Sequence, residues 1–229
     1  MTANEIIEKI KSMHNPVNVK GMARFGISSE NTYGVPMPVL RGLAKQIKKN
    51  HSLALELWKS GIHEARILAA LIDDPKMVTE EQMEEWVSGF DSWDVCDQCC
   101  MNLFDKASFA YTKAFEWAKR EEEFVKRAGF VIMASAAIHD KKAEDKKIME
   151  FLPIIEKEAS DGRNFVKKAV NWALRQIGKR NANLNKSAIE TAERILKQDN
   201  KTSRWVANDA LRELSGDKIS EMLKRRLAK

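Results

Sequence analysis

A tryptophan and an aspartate four positions apart have the spacing in this chain that most suggests chemistry. They are Trp93 and Asp97, in the stretch Asp91-Ser-Trp-Asp-Val-Cys-Asp97. On a helix, residues at this spacing lie one turn apart on one face, so an indole and a carboxylate would share a surface. Both groups attract positive charge. The alternative is a purely structural role: Ser92 is a favourable N-cap residue, Asp94 is favourable in the first turn of a helix, and Trp93 could be a core residue.

Pairs of cations recur near two predicted helix starts. Lys126 and Arg127 precede an apolar run, and Lys167 and Lys168 repeat the arrangement. Cations there oppose the helix dipole, which is easier to understand if an anion such as phosphate binds in front of the helix. The alternative is an ion pair with the acids at 121–123.

A second tryptophan, Trp172, follows Lys168 by one helical turn and so also lies beside a cation. Core packing is the alternative, because the neighbouring positions Val166, Ala169 and Val170 are apolar. Core positions are the expectation for the remaining tryptophans, which are Trp58, Trp86, Trp117 and Trp205.

Other kinds of chemistry find no support. Cys96-Asp-Gln-Cys99 resembles half a metal site, but no second pair stands at a suitable distance, so with Cys100 these residues are expected to be buried small hydrophobes. The chain has no glycine-rich phosphate loop, no dinucleotide fingerprint and no nucleophile with a histidine at motif spacing. We expect neither a metal nor a cofactor.

Composition predicts a cytoplasmic protein with one basic half. The 229 residues are 44% hydrophobic and 31% charged, without a membrane-length apolar run or a signal-peptide pattern. Net charge is +6, but residues 1–114 hold 13 Lys+Arg against 15 Asp+Glu, whereas 115–229 hold 26 against 18. The carboxyl-terminal half should attract a polyanion. A solvated lysine-rich surface without a partner is the alternative.

The pattern of apolar residues predicts an all-α protein. Almost every segment has apolar residues at helical spacing, and no run alternates as a strand would. Capping boxes at Thr2-Ala-Asn-Glu5 and Thr79-Glu-Glu-Gln82 mark two helix starts. Among the later helices we predict 145–158 and 186–197, and between the first two we predict a break at Asn15-Pro16 with the next helix over 19–24.

Internal repeats predict a curved α-solenoid of antiparallel, HEAT-like helix pairs, forming a single domain over residues 1–229. Phe124-Val-Lys-Arg-Ala128 matches Phe165-Val-Lys-Lys-Ala169 at an offset of 41, and Asn171-Trp-Ala-Leu-Arg175 matches Asn208-Asp-Ala-Leu-Arg212 at 37. In such a solenoid the second helix of each repeat lines the concave side. The residues this places on inner helices are Arg66, Trp93, Asp97, Arg127, Trp172 and Arg204.

Taken together, these motifs resemble the AlkD-like DNA alkylation repair proteins, a family of HEAT-repeat DNA glycosylases. The likeness runs from Tyr33-Gly-Val-Pro-Met-Pro-Val-Leu-Arg41 through the Trp93 and Phe124 motifs to Arg175. It implies an active site of Trp93, Asp97, Arg127 and Trp172. It also implies excision of cationic bases, such as 3-methyladenine and 7-methylguanine, from duplex DNA while the base stays stacked. Such an enzyme can do without a deep base cavity.

The resemblance also implies a role for each residue. Asp97 would stabilise the sugar cation and orient a water, the indoles of Trp93 and Trp172 would attract the same charge, and Arg127 would hold a phosphate. We expect a monomer whose other DNA contacts are Lys126, Lys167, Lys168, Arg204 and Arg66. The segment between Arg127 and Trp172 is longer than in the best-known members, and the three cysteines mark a particular branch. The alternatives are a non-catalytic DNA- or RNA-binding solenoid and a protein-binding scaffold.

Overall fold

The protein is all-helical in a computed structural model that describes residues 1–227. Over this range the chain forms fifteen α-helices and one 3-10 turn, Phe104–Lys106, and no strand. The helices are α1 (Ala3–Ser12), α2 (Pro16–Ala23), α3 (Met37–Ile47), α4 (His51–Lys59), α5 (His63–Ile72), α6 (Glu80–Ser88), α7 (Trp93–Asn102), α8 (Ala110–Trp117), α9 (Glu123–His139), α10 (Asp145–Met149), α11 (Leu152–Glu158), α12 (Asn164–Gly178), α13 (Ala182–Leu196), α14 (Lys201–Leu214) and α15 (Asp217–Leu227). None of these helices combines the length and the apolar character of a membrane span.

One predicted capping box forms completely and the other forms by half. At α1, Thr2 Oγ1 accepts from the Glu5 amide, and Glu5 Oε2 accepts from the Thr2 amide at 2.8 Å. At α6, Thr79 Oγ1 accepts from the Gln82 amide at 3.2 Å. The Gln82 side chain is buried, and its Nε2 donates to Asp73 Oδ2 at 2.6 Å. The buried carboxylate competes for this side chain, which is why the reciprocal bond is missing.

Three predicted helix boundaries are wrong, each for a local reason. The helix expected over 145–158 is divided into α10 and α11, because Pro153 has no amide hydrogen and its ring obstructs a continuous turn. The break expected at Pro16 is instead the first residue of α2, where a missing amide hydrogen costs nothing and Asn15 caps the helix. Similarly, α13 begins four residues before the expected Lys186, since Asn181 caps it by accepting from the Leu184 amide.

The first compact unit of the chain is Met1–Ala110. Within it α5 packs against α3, α4 and α7, so the predicted inner helices α5 and α7 are neighbours. Its core holds two predicted core tryptophans, Trp58 and Trp86, whose rings stack with centroids 4.2 Å apart and planes 5° from parallel. This stacking joins α4 to α6, and α4 in turn packs against α5.

The second compact unit begins at Tyr111. Here α9, α12 and α14 are successive neighbours, and α13 packs against α12 and α14. One sequence repeat appears as a contact between equivalent positions, since the ring centroids of Phe124 and Phe165 lie 5.4 Å apart. In the other repeat, buried Asn171 of α12 donates to the Val206 carbonyl of α14 at 3.1 Å. The predicted order of inner helices is therefore confirmed within this unit. The single domain and the curvature expected from the sequence stay predictions.

Candidate functional site

The start of α7 differs in one detail from the sequence prediction. Ser92 occupies the N-cap position with extended backbone, but its side chain makes no capping hydrogen bond. Its side chain is buried. The predicted cap is therefore right in position and wrong in mechanism.

Trp93 and Asp97 lie at the border between the buried and exposed faces of α7. The buried face consists of Val95, Cys96, Cys99 and Cys100, whereas Trp93 and Asp97 are both half-buried. The Trp93 indole Nε1 donates to the Phe25 carbonyl at 3.1 Å. One edge of the indole is thereby fixed by the loop after α2, and the side chain is not part of the core. The shared helix face predicted for the pair is present.

The three cysteines behind Asp97 are buried, as expected, and are not joined in disulfides. Burial raises the pKa of the Cys99 and Cys100 thiols well above their ordinary range. These thiols therefore stay protonated and pack as small apolar groups on the buried face of α7.

A largely buried histidine–aspartate pair, which no sequence motif predicts, lies beside Trp93. His63 Nε2, at the start of α5, lies 2.9 Å from Asp94 Oδ2, at the start of α7. Burial acts to lower the pKa of His63, but the hydrogen bond and charge of Asp94, helped by Glu64 and Asp91, outweigh it and raise this pKa. Burial likewise acts to raise the pKa of Asp94, and His63 outweighs it and lowers that pKa. The signal that could have found the pair is their matching positions at the starts of neighbouring inner helices.

A second buried acid shapes the loop that faces this pair. Glu64 is only 1% exposed, and its carboxylate accepts from three consecutive amides. The donors are Tyr33 at 2.9 Å, Gly34 at 2.6 Å and Val35 at 3.2 Å. Three such bonds stabilise the ionised carboxylate in a buried position. The loop before α3 is thus held against the start of α5.

Arg66, the first predicted DNA contact, makes contacts within its own unit. Its Nη1 donates to the Gly89 carbonyl and to Asp91 Oδ2, each at 3.2 Å. Its guanidinium carbon lies 5.1 Å from the ring centroid of Trp58. These contacts tie α5 to the turn before α7, so Arg66 positions that turn. A DNA contact for it stays a prediction.

In the second unit, Lys126 and Arg127 start α9 as predicted but are both buried. Lys126 Nζ lies 2.8 Å from Glu158 and 3.5 Å from Asp161, so its charge is balanced by carboxylates that differ from the neighbouring acids considered from the sequence. Arg127 Nη1 donates to the Phe165 carbonyl at 2.7 Å, which links the starts of α9 and α12. Lys126 thus ties the start of α9 to Glu158 and Asp161, and a DNA contact for it stays a prediction.

The starts of α12 and α14 form an exposed surface of cations and one indole, made up of Lys167, Lys168, Arg204 and Trp205. Lys167 Nζ lies 5.2 Å from the centroid of the Trp205 ring, Lys168 is exposed, and Arg204 pairs with Asp199 at 3.3 Å. The core position expected for Trp205 is wrong, because its side chain is 41% exposed. Its contact with Lys167 gives it a polar surrounding that the sequence pattern did not reveal.

Trp172 is half-buried on α12, between the core and the surface. With the Gln176 amide oriented to face its donors, Gln176 Oε1 accepts from Trp172 Nε1 at 2.8 Å and from Lys179 at 3.1 Å. The indole N–H is thus satisfied one turn along its own helix. Trp93 and Asp97 belong to the first unit, whereas Arg127 and Trp172 belong to the second, and their joint role in one active site stays a prediction.

Stacked helix pairs with repeated inner-helix motifs define the class of protein: an all-α protein of HEAT-like repeats. The chain is similar to a solved structure described as a new family of proteins related to the HEAT-like repeat DNA glycosylases, with affinity for branched DNA structures. The TM-score is 0.77 at 22% identity, over 93% of this chain and 95% of that one.

The family model of DNA alkylation repair enzymes matches residues 6–214, and the chain belongs to that family. It is 24% identical over 199 residues to an uncharacterized protein of Listeria innocua, which covers 85% of this chain and 87% of that protein. An uncharacterized protein of Listeria monocytogenes is 25% identical over 136 residues, covering 58% of this chain and 61% of that protein.

Proposed function

We propose that this protein is a monofunctional DNA glycosylase that removes positively charged alkylated bases, of the 3-methyladenine and 7-methylguanine type, from duplex DNA. The observation that carries the proposal is the pair Trp93 and Asp97, both partly exposed on one face of α7, in a member of the DNA alkylation repair enzyme family. The enzyme acts as a monomer in the cytoplasm and uses no cofactor.

The chemistry required of the pair is modest. A base made cationic by alkylation leaves as a neutral molecule when the N-glycosidic bond breaks and the bonding electrons move to the base. The sugar is left with positive charge, which a fixed carboxylate at Asp97 stabilises. Water then forms the new bond to the sugar carbon and loses a proton to solvent through Asp97. The indole faces of Trp93 and Trp172 attract the same developing charge.

The starts of α12 and α14 suit the DNA backbone. Lys167, Lys168 and Arg204 place cations near the N-termini of α12 and α14. The start of α12 has no side-chain cap, so its first amides also favour phosphate. Arg127, whose side chain reaches the start of α12 by its hydrogen bond to the Phe165 carbonyl, would hold the phosphate beside the lesion. The exposed ring of Trp205 adds a stacking surface within this basic region.

The experiment is incubation of the protein with methylated duplex DNA, followed by identification of the released bases by mass. We expect release of 7-methylguanine and 3-methyladenine in amounts that rise with time and enzyme. DNA from which no alkylated base is released, at protein concentrations that saturate binding, would contradict the proposal.

A second candidate function is DNA binding without catalysis. It is favoured by the likeness to a protein described as having affinity for branched DNA structures. Salt-dependent binding to a four-way junction, tighter than to a duplex of the same length and without base release, would support this candidate.

A further inference from the structure

The first unit contains a cavity of about 500 Å³ beneath α2, a volume typical of small-molecule sites. It is bounded by α2, the loop before α3, and the starts of α5 and α7. Most lining side chains are apolar, and they include Val17, Met22, Leu40 and Ile67. The polar end is formed by the His63–Asp94 pair, with Trp93 beside it. The family resemblance did not require such a space.

Helix α2 covers this cavity without burying any of its own residues. It carries apolar residues nonetheless: Val17 is 80% exposed, and Phe25, just after the helix, is 70% exposed. Helices this short have little stability of their own. Hydrogen bonds hold the segment at its ends, from Asn18 Nδ2 to the Gly34 carbonyl at 2.8 Å and from Trp93 Nε1 to the Phe25 carbonyl. A bound molecule with an apolar body would supply the burial that α2 lacks.

The opposite wall of the cavity is preorganised. Gly34 has φ of +73°, and a Cβ there would lie 2.6 Å from the Asn15 carbonyl oxygen, so this turn requires glycine. The Glu64 carboxylate accepts hydrogen bonds from the amides of the same loop. A wall fixed by buried hydrogen bonds loses little freedom when a ligand binds.

The charge of the lining selects the ligand. Among the described residues of the first unit that line the cavity, the titratable side chains are His63, Glu64 and Asp94, and there is no lysine or arginine. With His63 protonated these three groups still sum to one negative charge, in a chain whose net charge is +6. Glu64 is occupied by backbone amides, so the carboxylate that a ligand can meet is that of Asp94. Its Oδ2 pairs with His63 and its Oδ1 accepts from the Val95 amide at 3.0 Å, but each carboxylate oxygen can accept a second hydrogen bond. The net negative charge of the whole lining disfavours a phosphate or carboxylate.

We propose that this cavity binds a small organic cation, with a flat or branched apolar body under α2 and an ammonium or amidinium group against Asp94. The site is independent of the glycosylase proposal, since it is argued from the shape and charge of the cavity alone. It shares Trp93 with the predicted catalytic pair, so a bound molecule would contact that indole.

The test uses three probes of one shape: 2-naphthylmethylamine as the cation, 2-naphthylmethanol as the neutral form and 2-naphthoate as the anion. Binding is followed by NMR at the indole N–H resonance of Trp93, which is assigned by its loss in Trp93→Phe. We expect a saturable shift with the amine, binding about tenfold weaker for the alcohol, and no shift with naphthoate. Asp94→Asn should reduce the preference for the amine over the alcohol.

Two glycines provide a matched pair of variants. Gly21 on α2 lines the cavity and Gly42 on α3 does not, yet a Cβ on either would meet no atom within 4 Å. Leucine at Gly21 should fill the cavity and weaken amine binding about tenfold or more, whereas Gly42→Leu should bind like the wild type. Both changes raise helix propensity, so both variants should fold. Wild-type affinity in Gly21→Leu, naphthoate binding as tight as the amine, or no shift with any probe at millimolar concentration would overturn the proposal.

Discussion

Replacing Gly129 by alanine should destabilise the protein, although the same change usually stabilises a helix. Gly129 lies in α9, two residues after Arg127, where the backbone of α9 lies close against the end of α8. A Cβ at this position would lie 2.5 Å from the Ala118 amide nitrogen and 2.9 Å from the Ala114 carbonyl oxygen. Both neighbours are backbone atoms, so a side-chain rotation cannot relieve the overlap and α8 must move.

The expected size follows from two opposing effects. Gly→Ala inside a helix favours folding by about 1 kcal/mol. Overpacking a filled interface costs about 1–3 kcal/mol, and rigid backbone neighbours favour the upper end. The free energy of unfolding should therefore fall by about 1–2 kcal/mol, which for a chain of this size lowers Tm by roughly 2–8 °C.

The assay is urea unfolding followed by circular dichroism, with Gly42→Ala as the matched control. Gly42 is also helical and exposed, and a Cβ there meets open space, so this variant should gain up to about 1 kcal/mol. If Gly129→Ala were as stable as Gly42→Ala, the close approach of α8 to α9 described above would be refuted.

Two further predictions concern paired charges. The His63–Asp94 pair should stabilise the fold most between about pH 3.8 and 6.5, the ordinary pKa values of the two groups. The pKa of His63 is raised in the folded protein, so the stability that His63 contributes is lost as pH rises through its folded pKa. The pKa of Asp94 is lowered in the folded protein, so the stability that Asp94 contributes is lost as pH falls through its folded pKa. The gap in urea midpoint between wild type and Asp94→Asn should narrow above neutral pH; a constant gap from pH 5.5 to 8.5 would contradict this. Lys126→Met should lower the free energy of unfolding, measured in urea, by about 3 kcal/mol, because Glu158, whose side chain is only 15% exposed, loses its partner. Lys168→Met should change stability by less than about 0.5 kcal/mol and lower the salt dependence of DNA binding. Equal stability of these two variants would count against the buried ion pair.

The fold was largely predictable because its signals are local and repeated. Helical spacing predicts the all-α class, and the two Phe-Val-Lys motifs predict the contact between α9 and α12, where Phe124 and Phe165 meet. Boundaries were less predictable where one residue can act in two ways. Pro16 and Pro153 both lie in the first turn of a helix, but Pro16 begins a helix where the sequence predicted a break, whereas Pro153 divides a segment that was predicted to be one helix.

The residue types of the candidate site could be predicted from the sequence, but the burial and the partners of those residues could be predicted less well. The shared face of Trp93 and Asp97 follows from spacing alone, but the burial of Lys126 depends on carboxylates more than 30 positions away. The His63–Asp94 pair joins two helices at a separation of 31 residues, and no local pattern marks it. The cavity under α2 depends on how separate segments pack around a helix that buries none of its residues. The spacing of apolar residues in the sequence does not predict such packing.

The central claim is that Asp97 is the carboxylate that stabilises the sugar cation. The most direct measurement compares the single-turnover rate of 7-methylguanine release from methylated duplex DNA by wild type, Asp97→Asn and the control Asp217→Asn, which alters an exposed aspartate in the first turn of α15. We predict a loss of about 100-fold or more in Asp97→Asn with DNA affinity retained, and a wild-type rate in Asp217→Asn. A wild-type rate in Asp97→Asn would contradict the role proposed for that carboxylate.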